Sequence, residues 1–548
     1  MSHLKRPRIH FFGDFFTSPS TINNDPDAYN PTLALRPSWN PRGLHDFKLR
    51  RCTVRSALHD RGRATASSGD AIVGASVDTH DNPTMAKIVD LDPRWQSGSE
   101  IYGARLRLQV NGSTVIEGVM RPAFLRDLWF RRVPSRSHVP AAGGSFYAVI
   151  QQPTFGRLAR SPTLSALKLA GTLTVKMVVY AFDTTTREGK VAGTIGAGPP
   201  EIGSGYAGRR LLALSRPGVV GRAHDHLGPF GSVDAHLDVA RSRLTLDIGN
   251  AIPESAIGGS RINLGQLQAY AEVTSTGAGA PSRHALGPVD YSTSHARITA
   301  GVEELPLNAA QLAAARVGSL LLEDGRGSRT ILTEDPSGLS AIVDPPIIRL
   351  QPGATGTARV VVHRRGQPAA SVRLCAAVLV RGSSRPGGLT QPGGPTAPSS
   401  LTTNASGVAT LRLRAGRPTP GPADYIDGET YEVNIYEGST AAITNRLAAT
   451  YVRVFDEIPA VASPRWADVR PILEQYQRLY PGMGARVGTI VAGHDLGDHA
   501  TYQNSSYRTL TRVFLLYPRE DPRHMPVTRD LSDAKRAMLI RWLDAGAP

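Results

Sequence analysis

The chain has 548 residues, 41% hydrophobic and 20% charged, a globular composition that excludes disorder and leaves room for three or four domains of about 150 residues. Its 55 glycines and 41 prolines disfavour an all-helical protein, and no apolar run is long enough to span a membrane as a helix. The net charge of +16 comes almost wholly from arginine, with only seven lysines; such a charge suits a polyanion, but the positives are scattered and no nucleic-acid motif accompanies them, so specific nucleic-acid binding is not expected.

The start, MSHLKRPRIHFFGDFF, is basic, but Gly13 and Asp14 interrupt its apolar stretch and no small-residue cleavage site follows. No signal peptide is read. Two cysteines, Cys52 and Cys375, make neither a disulfide framework nor a cysteine-rich metal site. A reducing cytoplasm and free thiols are the expectation.

From about residue 50 to 345 the pattern is of short strands broken by turns. In 105–119, RLRLQVNGSTVIEGV, residues alternate around Asn111-Gly112, a dipeptide suited to a tight hairpin. At 172–182 Leu173, Val175, Met177 and Val179 share one face at period two. At 236–248, Leu237 and Val239 precede, and Leu244, Leu246 and Ile248 follow, a polar turn. Strands so spaced predict a β-sandwich or barrel-like body over 1–345, of one or two subdomains.

Residues 346–456 form a second unit, opening after Asp344-Pro345. The stretch LTTNASGVATLRLRAG resembles bacterial immunoglobulin-like repeats, and YEVNIYEG and AATYVRVFD add alternating strands. This predicts an Ig-like sandwich of seven or eight strands, with 383–400 as a low-complexity loop. Over 464–548 the period changes to 3.6. Asp468 suits the start of a helix carrying Val469, Leu473, Tyr476 and Tyr480; a second helix is read over 506–516, and a third opens at Ser532 and stops at Gly546. The expected fold is thus mainly β: the body, the Ig-like sandwich and a small helical domain.

No Walker loop, H-E-x-x-H or G-x-S-x-G occurs. The G-x-G-x-x-G at 203–208 follows Pro199-Pro200 rather than a strand, so it lacks the dinucleotide-binding context. Imidazole and carboxylate groups suited to a divalent metal cluster at His494, Asp495, Asp498 and His499, at His224-Asp225-His226, and at Asp78, His80 and Asp81 before Asp90 and Asp92. The same residue types in turns cap backbone amides or face water. Asn23-Asn24-Asp25-Pro26 and Asp90-Leu91-Asp92-Pro93 read likewise as turns or as oxygen ligands for a cation.

Several patterns occur in order: PRIHFFGDF with STINND at 7–25, AKIVDLDPRWQSGSEIYG at 86–103, GYAGRRLL at 205–212, RLTLDIGNAIPES at 243–255, YQRLYPGM, and HMPVTRDLSDAKRAMLIRWL near the end. Together they resemble the N-terminal half of the bisindole-pathway synthases, the family of VioB, RebD and StaD. Those enzymes join two tryptophan-derived imines, and their long members continue into a ferritin-like metal-binding domain that the resemblance does not reach. It implies a stand-alone relative of that scaffold, assisting or performing an oxidative step on an aromatic amino-acid derivative. The implied partners are a flavin amino-acid oxidase or a separate ferritin-like metalloprotein. The alternative is a non-catalytic assembly protein whose β modules are docking surfaces.

Within the helical domain, DVRPILEQYQRLYPGM and the later HMPVTRDLSDAKRAMLIRWLDAGAP look like a class I cytochrome c without its Cys-x-x-Cys-His. This likeness makes Met525 and Tyr480 the heme-pocket positions for a noncovalent heme b, with His494 or His499 opposite Met525. The expectation preferred here is a heme-free domain in which Tyr476 or Tyr480, Met538 and Trp542 fill the porphyrin's space, with Met525 partly buried and unligated.

Overall fold

The computed structural model describes residues 3–19, 43–60, 62–81, 84–90, 98–126, 143–183, 185–198, 205–206, 208–216, 219–220, 230–254, 260–274, 280–326, 329–380, 394–418, 427–438, 446–479 and 495–548. The chain is mainly β, with a small helical region at its end.

The first unit is an antiparallel ring. The strand Arg8–Ser18 pairs on one edge with Glu188–Ala197 and on the other with Asp46–His59. The path runs from Glu188–Ala197 through Leu173–Asp183, Gly143–Ile150, Ala123–Arg126, Ser99–Tyr102 and Ala86–Asp90 back to Asp46–His59, so the sheet closes. Closure removes the open edges that a sheet otherwise presents. Phe11 and Phe15 point into the core over glycines of the neighbouring strand: a Cβ on Gly193 would lie 2.1 Å from the Phe11 ring, and one on Gly189 2.4 Å from Phe15. Leu173, Val175, Met177 and Val179 line this core as their alternation predicts. The Asn111-Gly112 hairpin sits in an extension of the sheet, both residues at positive φ. The helix Pro162–Ala170, capped by Ser161, adds Leu164 and Leu167 to the core.

The second unit is a separate antiparallel sheet with its own core, running from Arg209–Arg216 to Thr330–Glu334 in the chain. The expected body over 1–345 is therefore two β units. Leu237 and Leu244 face each other across the hairpin of Val233–Asp238 and Arg243–Asp247.

The Ig-like unit packs a four-stranded sheet on a five-stranded one around a single core. It begins earlier than residue 346: Leu339–Asp344 pairs with Thr355–Arg364 in one sheet, and Ile347–Leu350 pairs with Arg446–Val454 in the other. Pro345-Pro346 thus marks the crossing between sheets within one sandwich. In the NASG turn, Asn404 Oδ1 accepts from the amides of Ser406 and Val408. Residues 383–393 of the expected loop lie outside the described residues.

The helical tail contains Trp466–Leu479, His499–Gln503, Ser505–Leu516 and Asp533–Asp544. Its first helix starts two residues before Asp468, which sits in the first turn and accepts from the Arg465 amide. Val89 and Tyr102 of the first unit are buried in the tail's core. Gly103 makes that docking possible, because a Cβ there would strike Pro522 at 2.5 Å. Among the described residues no helix is long and apolar enough to cross a membrane.

Candidate functional site

Two hairpin turns from different β units meet over a cleft of about 570 Å³. One turn joins Asp46–His59 to Gly62–Ala64; the other joins Val233–Asp238 to Arg243–Asp247. Arg241, on the second turn, donates to Asp60 on the first at 2.5 Å and to Asp238 at 3.0 Å. Arg6, Arg63 and Arg243 add three more guanidiniums to the lining.

The acids of the cleft are matched. Asp60 takes Arg241, and Glu303 lies 2.5 Å from His295 Nε2. Glu304 accepts from Arg6 Nη2 at 2.7 Å and from Arg8 Nη2 at 2.7 Å. Arg63 is exposed and Arg243 half-buried, and among the described residues neither makes an ion pair.

Behind Glu304 lies a buried ionic network between the two β units. Arg8 Nε donates to His10 Nε2 at 3.3 Å, so the proton of a neutral His10 is on Nδ1, 2.8 Å from Thr194 Oγ1. Asp247 accepts from Lys176 Nζ at 2.7 Å, and His3 Nε2 lies 3.0 Å from its other oxygen. Asp234 accepts from Tyr147 at 2.7 Å and Arg210 at 3.1 Å.

Burial governs these groups. It drives Arg8 down to about 10 against the pull of Glu304, and drives His10 well below the usual imidazole range with help from the charges of Arg8 and Arg63. Burial opposes the charge on Glu304 too, but Arg6 and Arg8 outweigh it and hold the carboxyl at about 2. Asp247 is likewise held below its ordinary range, burial being overcome by Lys176 and His3. A cluster of strongly perturbed groups is a common mark of function. Here most of the cluster is shut away from solvent; Glu304 is its member that lines the cleft.

A second joint holds the tail. The Tyr102 hydroxyl donates to Glu100 and accepts from Arg349 Nη2 of the Ig-like unit at 2.8 Å. Arg529 of the tail lies 4.3 Å above the Tyr102 ring. Asp427 accepts from the Ser532 amide at 2.8 Å, so a carboxylate caps the start of the last helix.

The residues singled out in the sequence lie elsewhere. Tyr480, His494, Asn23 to Pro26, Asp92, and His224 to His226 are outside the described residues. Asp498 and His499 have partners within the tail. The Asp498 carboxylate caps a helix by accepting from the Ala500 amide at 2.9 Å; His499 Nε2 donates to the Ala547 carbonyl at 2.8 Å, and its ring stacks 4.9 Å from Trp466. Asp78 pairs with Arg107, His80 with Glu117, and Asp81 with Lys48. Among the described residues no group of three or more His, Cys, Asp or Glu is placed to hold a metal ion. Met525 is half-buried against a core that includes Tyr476, Met538 and Trp542. Arg63 and Arg243 escaped notice because nothing local separates them from the other arginines.

No protein-family profile and no curated protein matches the chain. Solved structures similar to it include the polymeric Ig receptor ectodomain of a teleost fish, at 10% identity and a TM-score of 0.14, with 40% of this chain and 92% of that one covered. A Salmonella alpha-2-macroglobulin mutant is 12% identical over 83% of this chain and 26% of its own, with a TM-score of 0.17. The four N-terminal Ig domains of a Dscam1 isoform are 11% identical, covering 73% and 86% of the two chains, with a TM-score of 0.12.

Proposed function

We propose that this chain is a relative of the bisindole-synthase N-terminal scaffold and assists an oxidative step on an aromatic amino-acid derivative in bacterial natural-product biosynthesis. It works in the cytoplasm beside a flavin amino-acid oxidase or a ferritin-like metalloprotein. The observation that supports this reading is where the family-like segments lie: they supply the joints between units. Arg8 comes from the first pattern, Tyr102 from the second, the Gly208 carbonyl that accepts from Ser340 of the Ig-like unit from the third, Asp247 from the fourth, and Arg529 and Ser532 from the last. Such segments preserve the relative placement of four units, as a scaffold requires.

The test adds the purified chain to a flavin L-amino-acid oxidase turning over L-tryptophan, with and without a ferritin-like metalloprotein, and follows imine-derived products by mass spectrometry. The expected result is a shift from the hydrolysed keto acid toward coupled products when the chain is present. Identical product profiles with and without it, in both arms, overturn the proposal. The joints also favour the second reading, a non-catalytic assembly protein; that reading predicts stable co-purification with the oxidase and no change in products.

A further inference from the structure

Four guanidiniums converge on the cleft between the two β units, and its three acids are already engaged. Among the described residues, the lining arginines without an ion-pair partner are Arg63, on the short strand Gly62–Ala64, and Arg243, at the start of Arg243–Asp247. We propose that this cleft binds a small dianion, a phosphate monoester or a dicarboxylate, held by Arg63 and Arg243.

Charge accounts for the choice of ligand. Arg6 and Arg8 share the single carboxylate Glu304, and Arg241 is divided between Asp60 and Asp238. Arg63 and Arg243 are left without an ion-pair partner among the described residues, in a lining whose four arginines and three acids sum to a net charge of +1. A ligand with two anionic ends, or a phosphate with several acceptor oxygens, pairs with both guanidiniums, whereas a single carboxylate pairs with one. The planar fork of arginine presents paired N–H donors that suit phosphate and carboxylate oxygens alike.

The cleft is also preorganised. Leu58 pairs with Arg63 in one sheet, and Arg243 lies between Asp238 and Pro306 in the other. Arg241 to Asp60 joins the two turns, and Arg6 bridges the His59 carbonyl at 3.0 Å to Glu304 at 2.7 Å. The strands that carry Arg63 and Arg243 are therefore held by their sheets before any ligand arrives, which lowers the ordering cost of binding. The charge of Arg63 already acts on Arg8 and His10, lowering both beyond the effect of burial. A dianion would neutralise that repulsion. The volume of about 570 Å³ suits a metabolite rather than a bare ion.

Inorganic phosphate and malonate are titrated separately into the full chain by calorimetry at fixed ionic strength. Saturable one-to-one binding of either is expected. Phosphate alone assigns the phosphoryl class, malonate alone the dicarboxylate class, and both together the shared dianion chemistry. Arg63→Gln and Arg243→Gln should each weaken binding about tenfold or more, the loss of a charge-assisted hydrogen bond, while the exposed Arg157→Gln should leave it unchanged. The proposal fails if neither anion saturates, if the folded double variant binds as tightly as the parent, or if Arg157→Gln weakens binding as much as the cleft variants.

Discussion

Arg8 and Glu304 stand 296 residues apart in the chain and meet at 2.7 Å across the joint between the two N-terminal β units. Arg8 is wholly buried, and Glu304 also holds Arg6. A guanidinium enclosed this way depends on its counter-charge, since desolvating a lone ion costs several kcal/mol.

Glu304→Gln keeps the shape of the joint and removes its negative charge. Breaking a buried pair costs about 3–5 kcal/mol, so amide exchange in Arg8–Ser18 and Val302–Pro306 should accelerate at least about a hundredfold. Exchange in Thr355–Arg364 of the Ig-like sandwich should not change. Unaltered protection on both sides of the joint would count against a structural role for the pair.

Acid should destabilise the chain well above the carboxylate range. Burial is the leading cause that keeps His10 well below its usual range, His236 at about 4 and His524 at about 3. His524 shows why: its Nδ1 donates to the Tyr517 carbonyl at 2.6 Å and its Nε2 accepts from Arg536 at 3.0 Å, leaving no site for a second proton. Unfolded, each imidazole binds a proton below about pH 6.5. The unfolded state therefore binds more protons, and stability falls as pH drops through 6.5. At pH 5 the excess from these three imidazoles is on the order of three protons, a slope of about 4 kcal/mol per pH unit. Glu304 loses its contribution lower down, between 4.5 and about 2. Urea midpoints at pH 7, 6 and 5 should decline in order; a flat series refutes the assignment.

In the tail, Trp542 is fully buried, lies 4.9 Å from the Tyr502 ring and donates through Nε1 to the Pro548 carbonyl at 3.1 Å. Trp542→Ala should destabilise the tail by about 3–5 kcal/mol, read as faster proteolysis confined to residues 464–548. Because these aromatics already fill the core, the purified protein should show no Soret band, and Met525→Ala should leave its visible spectrum unchanged. A Soret band lost in that variant would reverse this conclusion.

Cys52 and Cys375 are both free and buried, in different units. Burial pushes the Cys52 thiol up to about 12, so little of the reactive thiolate exists at neutral pH. Alkylation of the native protein should be slow at both sites and should reach two labels on denaturation without reductant. One label or none after denaturation would reveal oxidation.

What the sequence made legible was local. The alternation through Leu173–Asp183, the Asn111-Gly112 and Asn404 to Gly407 turns, and the 3.6 period of the tail depend on near neighbours, and each element forms where it is expected. The prolines at 345 and 346 misled about the start of the sandwich because a strand that switches sheets needs the same kinked backbone as a linker. At Asp498 and His499 the sequence left cap and metal ligand open, because helix caps and metal sites draw on the same oxygens and nitrogens; the structure places Asp498 as a cap. The cleft was invisible for a different reason: Arg63 and Arg243 become neighbours of one recess only when two hairpins from separate sheets are docked.

The closed ring of the first unit sets a schedule for biosynthesis. Its opening strand gains one neighbour as soon as Asp46–His59 emerges, but its other edge waits for Glu188–Ala197, and the Lys190 to Asp14 contact spans 176 residues. At about 5–20 residues per second, the roughly 130 residues between His59 and Glu188 take about 6–26 s. Throughout that interval, a half-paired edge bearing Phe11 and Phe15 is open to other nascent chains, an arrangement that invites aggregation. Yield in a heterologous host should therefore respond more to chaperone capacity and slower, cooler expression than to substitutions on the finished surface.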